Sequence, residues 1–302
     1  MTATCKEKIC GLSHRLPAWF RQPLPDTQKI KKMKDLLHSR NLSTVCESAR
    51  CPNQGQCWGQ GVATFMILGD LCTRACRFCA VKAGRPESLD IREPGEVALA
   101  VRALNLRYVV VTSVTRDDLD DGGAGQFAET VRQIKKHARQ IKIEVLIPDF
   151  KNNEESLKKI GTAEPDVIGH NLETVRRLSL KIRPQASYDR SLDVLRNMRK
   201  MSAAFIKSSL MVGLGETEKE VREAMKDLLS AGCDLLTIGQ YLAPTREGRH
   251  VPVSEFIAPE KFREYSQMGK DFGFKYVESG PLVRSSYLAE RGYRAVNIKD
   301  IA

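Results

Sequence analysis

The sequence predicts an α/β fold, a partial (β/α)6 TIM-like barrel with N-terminal and C-terminal extensions, and three observations lead there. Six short β-rich runs alternate with helical patterns from residue 62 onward, and alternation of this kind implies a parallel sheet with right-handed crossovers. No G-x-G-x-x-G follows the first strand, which turns the choice from an open doubly wound sheet toward a barrel. A chain of 302 residues with 42% hydrophobic composition is long enough for one such core.

The strand-like runs are "VATFMIL" (62–68), "LRYVVVT" (106–112), "IKIEVLI" (141–147), "DVIGHN" (166–171), "FIKSSLMVG" (205–213) and "DLLTIGQ" (234–240). Between them, apolar residues recur at helical spacing in 94–104, 125–137, 153–160, 191–201 and 216–232, the last with an acidic first turn. Residues 1–61 form an N-terminal extension that packs over the barrel, 62–245 the barrel core, and 246–302 a C-terminal extension of loops with one helix from about 259 to 271. In a barrel the loops after the strands build the site. The expected site loops are therefore the cysteine run after the first strand, "SVTRDDLDDGGAG" after the second, "NLET" after the fourth and "GLGET" after the fifth.

No run approaches the roughly 18 apolar residues of a membrane span. The start, "MTATCKEKICGLSHRLPAWF", lacks the apolar segment of a signal peptide. The expectation is a soluble, cytoplasmic protein away from membranes. The net charge of +11 asks for an acidic partner. Nucleic acid is disfavoured: the basic runs have helical spacing, and aromatics make up only 6% without interleaving among them. An acidic protein fits.

Nine cysteines are too few for a disulfide scaffold, and six of them fall within 34 positions, which argues for a metal in a reducing compartment. Cys5 and Cys10 read as incidental thiols in the N-terminal tail, and Cys233 as a small core residue. Cys46, Cys51 and Cys57 form one triad, C-x4-C-x5-C, and Cys72, Cys76 and Cys79 another, C-x3-C-x2-C. Each is one ligand short of a closed tetrahedral site. Two chemistries fit the second triad. One is zinc completed by a distant His or by Cys233; the other is a four-iron, four-sulfur cluster with three thiolates and one open iron, shielded by Phe78.

The loop "GDLCTRACRFCAVKAG" (69–84) resembles the C-x3-C-x-φ-C signature of the radical S-adenosylmethionine enzymes, with Phe78 at the aromatic position. The resemblance implies that the amino and carboxylate groups of S-adenosylmethionine complete the open iron, and that an electron from the cluster cleaves the sulfonium to a radical that abstracts hydrogen. It further implies Gly122 and Gly123 as candidates for the methionine amine, and Asn171, Glu173, Gly213, Gly215 and Glu216 for ribose and adenine. Structural alternatives stand beside these: "NLET" as a helix cap, and "GLGE" as a loop ahead of a helix.

The upstream triad, with "LPAWFRQPLP" (16–25), "TSVTRDDLDDGGA" (112–124), "HNLETV" (170–175) and "RSSY" (284–287), resembles the lipoyl synthase family over nearly the whole chain. That likeness implies a second four-iron, four-sulfur cluster on Cys46, Cys51 and Cys57, with Ser286 or its neighbour Ser285 as fourth ligand, spent as the sulfur source. Arg284 would hold the serine or compensate charge, unless it simply forms a salt bridge. The implied reaction places sulfur at C6 and C8 of an octanoyl-lysine on a lipoyl carrier domain, using Cys72, Cys76, Cys79 and Ser286 as the reacting centres' ligands. The implied partners are the 2-oxoacid dehydrogenase E2 subunits and glycine cleavage H protein, an electron donor such as flavodoxin or ferredoxin, and a cluster-repair carrier. Rival readings are a methylthiotransferase-like enzyme, a cluster scaffold, and a zinc-dependent nucleic-acid-binding protein.

Overall fold

The computed structural model describes residues 16–22, 26–59, 62–138, 140–245 and 248–297; Cys5 and Cys10 lie outside these. Strand β1 (Ser43–Thr44) lies antiparallel to β2 (Thr64–Ile67), while β3 (Leu71–Cys72) and β4 (Lys82–Ala83) pair with each other as a short parallel ribbon. Strands β5 (Tyr108–Ser113), β6 (Lys142–Leu146), β7 (Val167–Gly169), β8 (Phe205–Val212), β9 (Leu235–Gln240) and β10 (Tyr276–Gly280) follow. The main sheet runs β1-β2-β5-β6-β7-β8-β9-β10, every pair after the first being parallel.

The six expected strands are thus present in sequential order. Among the described residues, two further strands of the main sheet were not anticipated, nor was the β3–β4 ribbon. β10 falls where the sequence reads as loop, because its five residues carry little local signal and pairing with β9 makes it a strand. β1 is two residues long and caps the opposite edge.

Helices α1 (Thr27–Ser39), α2 (Val45–Ser48) and α3 (Gln54–Gly59) precede β2. The crossovers use α4 (Glu93–Ala103), α5 (Ala124–His137), α6 (Glu154–Thr162), α7 (Arg176–Ile182), α8 (Tyr188–Met201) and α9 (Glu218–Ser230), and α10 (Pro259–Phe272) leads into β10. Helix α9 opens on a capping box: the Thr217 hydroxyl accepts from the Glu220 amide, and the Glu220 carboxylate accepts from the Thr217 amide. α11 (Ala289–Val296) ends the described chain. No helix among the described residues is long and apolar enough to cross a membrane.

The period of two along each strand sorts the two sheet faces. On β5, Val109 and Val111 join the large core under the crossover helices, whereas Tyr108 and Val110 join a smaller cluster with Ala289 and Tyr293 of α11. On that second face, Glu144 of β6 receives the Lys207 ammonium of β8 at 2.8 Å and the Tyr108 hydroxyl at 2.6 Å. This buried pair sits in the lower half of the face. Toward the strand ends the same face opens into a cavity, where Met66, Thr112, Leu146, Ser209, Met211 and Gly239 form the floor.

Candidate functional site

The cavity measures about 460 Å³, within the range of small-molecule sites. All six clustered cysteines line it, as do Phe78, Asn171, Glu173, Ser285 and Ser286.

The upstream cysteines are gathered by short helical turns. Thr44 caps α2 by accepting the Glu47 amide, which places Cys46 in the first turn; the Cys51 amide donates to the Cys46 carbonyl at 3.0 Å, and the Cys57 amide to the Asn53 carbonyl at 2.9 Å. Asn53, 1% exposed, donates through Nδ2 to the Leu282 carbonyl at 2.6 Å. Two residues later, Arg284 donates to the carbonyls of Gln240 (3.1 Å) and Val283 (2.8 Å). A Cβ at Gly239 would overlap the Val283 carbonyl, so only glycine lets this segment cross the end of β9.

The downstream loop is bracketed by β3 and β4, and the Gly84 amide closes it on the Cys72 carbonyl at 2.9 Å. Cys72 Sγ accepts the amides of Arg74 (3.4 Å) and Thr115 (3.3 Å). Arg74 turns inward and spans two carboxylates: Nε and Nη2 reach Asp117 at 2.6 and 2.8 Å, and Nη1 and Nη2 reach Asp149 at 3.0 and 2.7 Å. Arg190 adds a further contact to Asp149 at 2.9 Å. Burial would raise the Asp149 carboxyl, but the Arg74 guanidinium holds it well below the usual range. The loop is thereby pinned to the ends of β5 and β6.

Asn171 and Glu173 also face the cavity, but not as caps: α7 starts after Val175, which makes no side-chain cap. Glu173 adopts φ 71°, and its amide and carbonyl pair with Ser209 and Met211 of β8 at 3.0 and 2.8 Å. Burial raises its carboxyl, with Arg183 opposing.

The remaining expected contacts are not brought to the cavity. Gly122 and Gly123, both at positive φ, make the turn into α5, and a Cβ at Gly123 would overlap Leu68. Glu216 turns back on its own loop, accepting the amides of Gly213 (2.5 Å) and Leu214 (2.9 Å), while Gly213 packs against Gln240 and Glu255. Gly122 and Gly123 thus fall in the turn before α5, and Gly213 and Glu216 in the loop ahead of α9. Cys233 is buried in the core and does not line the cavity.

Sequence reasoning missed Arg74, Asp149, His170 and Arg183. His170 is 3% exposed; its Nδ1 donates to the Ile147 carbonyl at 2.9 Å, and its Nε2 is buried in the cavity wall with no hydrogen-bond partner among the described residues. Arg183 contacts the Leu172 carbonyl (2.9 Å) and Ser191 hydroxyl (3.3 Å). An arginine inside the cysteine loop and a Pro-Asp at the end of a strand run were the available signals.

The donor sets suit iron-sulfur clusters. Burial pushes the Cys57 and Cys79 thiols up to about 12 and raises Cys46, Cys51 and Cys76 as well, so a metal is what makes them thiolates. One guanidinium faces each set: Arg183 favours the anion of Cys76, and Arg284 that of Cys51. Neither arginine makes an ion pair within contact distance among the described residues; Arg183 also favours the carboxylate of Glu173 on the same cavity wall. No three described His, Cys, Asp or Glu side chains converge on one ion; a four-iron cube takes its thiolates at separate corners.

A β/α parallel sheet with a three-cysteine loop after its first parallel strand defines a radical S-adenosylmethionine protein, and residues 66–228 match the model of the radical SAM superfamily. The crystal structure of methylornithine synthase, 15% identical, shares the fold with a TM-score of 0.52 over 86% of this chain and 87% of that one. Residues 4–51 match the N-terminal domain of lipoyl synthase of the radical SAM family. The lipoyl synthase of Flavobacterium johnsoniae is 50% identical over 275 residues, covering 91% of this chain and 95% of that protein. That of Caldicellulosiruptor bescii is 53% identical over 286 residues, 94% and 96% of the two chains. The chain belongs to the lipoyl synthase family, which displaces the methylthiotransferase, scaffold and zinc readings.

Proposed function

We propose that this chain builds the lipoyl group in place, inserting sulfur at C6 and C8 of an octanoyl chain held in amide linkage on a carrier-domain lysine. The observation that supports it is the convergence of two three-cysteine sets on one cavity. A reaction that needs hydrogen removed and sulfur supplied at the same carbons calls for both on one chamber.

In this reading Cys72, Cys76 and Cys79 hold a four-iron, four-sulfur cluster with a corner open to S-adenosylmethionine. When bound, the pair supplies a carbon radical able to take hydrogen from an unactivated C–H bond, one S-adenosylmethionine for each hydrogen removed. Phe78 keeps water from the thiolates, Arg183 binds the methionine carboxylate, and Asn171 and Glu173 bind the sugar hydroxyls. Cys46, Cys51, Cys57 and Ser286 hold a second cluster, the sulfur substrate. A serine oxygen is a harder partner for such iron than a thiolate, so its corner opens first. Ser285 shares the wall and is the alternative ligand; Arg284 offsets the anionic charge at Cys51.

The substrates are octanoylated carrier domains such as 2-oxoacid dehydrogenase E2 subunits and glycine cleavage H protein, whose acidity would answer the +11 charge. Electrons come from a flavodoxin or ferredoxin, a cluster carrier restores the spent sulfur source, and the setting is cytoplasmic. Anaerobic turnover of an octanoylated lipoyl-domain peptide, read by peptide mass, tests the reading. Cys76→Ala should abolish S-adenosylmethionine cleavage, whereas Cys51→Ala should leave cleavage measurable and give no dithiolated peptide. Dithiolated peptide from Cys51→Ala would sink it.

A further inference from the structure

Three segments meet on the side of the cysteine loop that faces away from the cavity. The Arg77 amide donates to the Ile182 carbonyl at 2.8 Å, the Val251 amide to the Arg77 carbonyl at 2.9 Å, and Arg77 Nε to the Arg249 carbonyl at 3.1 Å. The carbonyl of Cys79 is held by Arg249 Nη2 at 3.1 Å and by His250 Nε2 at 2.9 Å, which requires the proton on that nitrogen. Arg249 also donates to the Val81 carbonyl at 2.6 Å. All three cysteines of the loop line the cavity; Arg77, Lys82, Lys181, Arg249 and His250 do not.

The charge of this face is one-sided. Residues 71–86, 179–188 and 248–254 contain seven lysines and arginines and no Asp or Glu, where the chain's own frequency of 37 acidic residues in 302 would place about four. Arg74 and Arg183 turn inward. Lys82 and Lys181 are exposed, Arg77 and Arg249 half-buried, and none of these four makes an ion pair among the described residues, while Arg85, also exposed, lies near enough to Asp118 to favour its carboxylate. Beside Lys181, on the last turn of α7, Leu180 is 73% exposed. A mostly basic surface with an exposed apolar side chain beside Lys181 suits a small, transient, electrostatically steered contact with an acidic protein.

We propose that this face docks an acidic one-electron carrier protein, and that its electron enters through the peptide at Cys79. The carrier is oxidised by one electron and the cluster site reduced by one; no atoms move. The proposal rests on the radical chemistry above, which consumes an electron that the chain's own side chains do not supply. An octanoylated carrier domain must feed its acyl chain into the cavity, so it belongs at the mouth; a face outside the cavity and hydrogen-bonded to a ligand's backbone has use for an electron alone.

The test is the exposed double variant Lys82→Glu/Lys181→Glu of the cluster-loaded protein. Cluster bleaching is followed by stopped-flow absorbance, with a reduced acidic flavodoxin as probe and photoreduced deazariboflavin as an uncharged control. At low salt the flavodoxin rate should fall about tenfold or more and lose its salt dependence. The deazariboflavin rate and the KM for octanoylated peptide should stay unchanged. An unaltered flavodoxin rate overturns the proposal, as does an equal loss with the small reductant or a rise in peptide KM alone. Native protein that bleaches yet leaves S-adenosylmethionine intact would instead refute the proposed function, leaving the docking face standing.

Discussion

Asn53 and Leu282 are 229 positions apart and joined by a 2.6 Å hydrogen bond, from Asn53 Nδ2 to the Leu282 carbonyl. The same side chain accepts from Gln22 Nε2 at 2.9 Å, so one amide ties the N-terminal strap, the upstream cysteine turn and the segment leading to Ser285 and Ser286. Asn53→Ala leaves a half-buried carbonyl without its donor, at a cost of about 1 kcal/mol. Denaturant unfolding should register that loss. Iron content should drop toward half, with the Cys72–Cys79 set retained; a variant with full iron would show that the tie is dispensable.

Gly239→Ala attacks the same segment from below. The added methyl must displace the Val283 backbone, which is not the flexible end of a side chain. The expected result is a shifted 283–287 segment, seen as faster amide exchange there while exchange in β5 and β6 is unchanged.

Arg74→Met should destabilise the fold by about 3–5 kcal/mol, because Asp149 and Asp117 lose a cation shared by both. Arg74→Lys should recover little, since one ammonium cannot make two bidentate pairs. Full stability in the lysine variant would mean that charge alone, and not the fork, holds the loop.

His170 gives a pH dependence with a defined sign. Burial pulls its imidazole from 6.5 down to about 4. The unfolded chain therefore binds the proton first, so this contribution is complete above about pH 6.5 and is lost as pH falls toward 4, by about 3 kcal/mol in all. Unfolding midpoints at about pH 7 and about pH 5 should differ less in His170→Gln than in the native chain. Equal differences would place the dependence elsewhere.

Ser286→Ala and Ser285→Ala should separate the two serines of the cavity wall. The first should alter the spectrum of the upstream cluster and the second should leave it, with the reverse pattern naming Ser285. A spectrum unchanged by either substitution would remove the serine ligand from the reading.

Much of this was legible locally. The alternation from residue 62 locates six of the seven parallel strands of the main sheet because each is a run of apolar residues buried on both faces, as Val109 and Val110 illustrate. The cysteine spacings are local too, and so is the likeness to the family. What was not legible depends on distant neighbours. "DDGGAG" and "GLGE" are glycine-rich whether they cradle a ligand or only make a turn, and the groups packed against them, from Leu68, Gln240 and Glu255, come from elsewhere in the chain.

The sequence by itself determined the repeating strand and helix pattern, the two cysteine triads and the family they point to, since each is written in residues close together along the chain. The tertiary structure alone decided that β10 extends the sheet, that both triads share one cavity, and that Arg183 faces one triad and Arg284 the other. The reason is physical. Hydrophobic periodicity reports which face of an element is buried, whereas the partner that covers it, such as Leu282 over Asn53, comes from chain far away whose approach no local window contains.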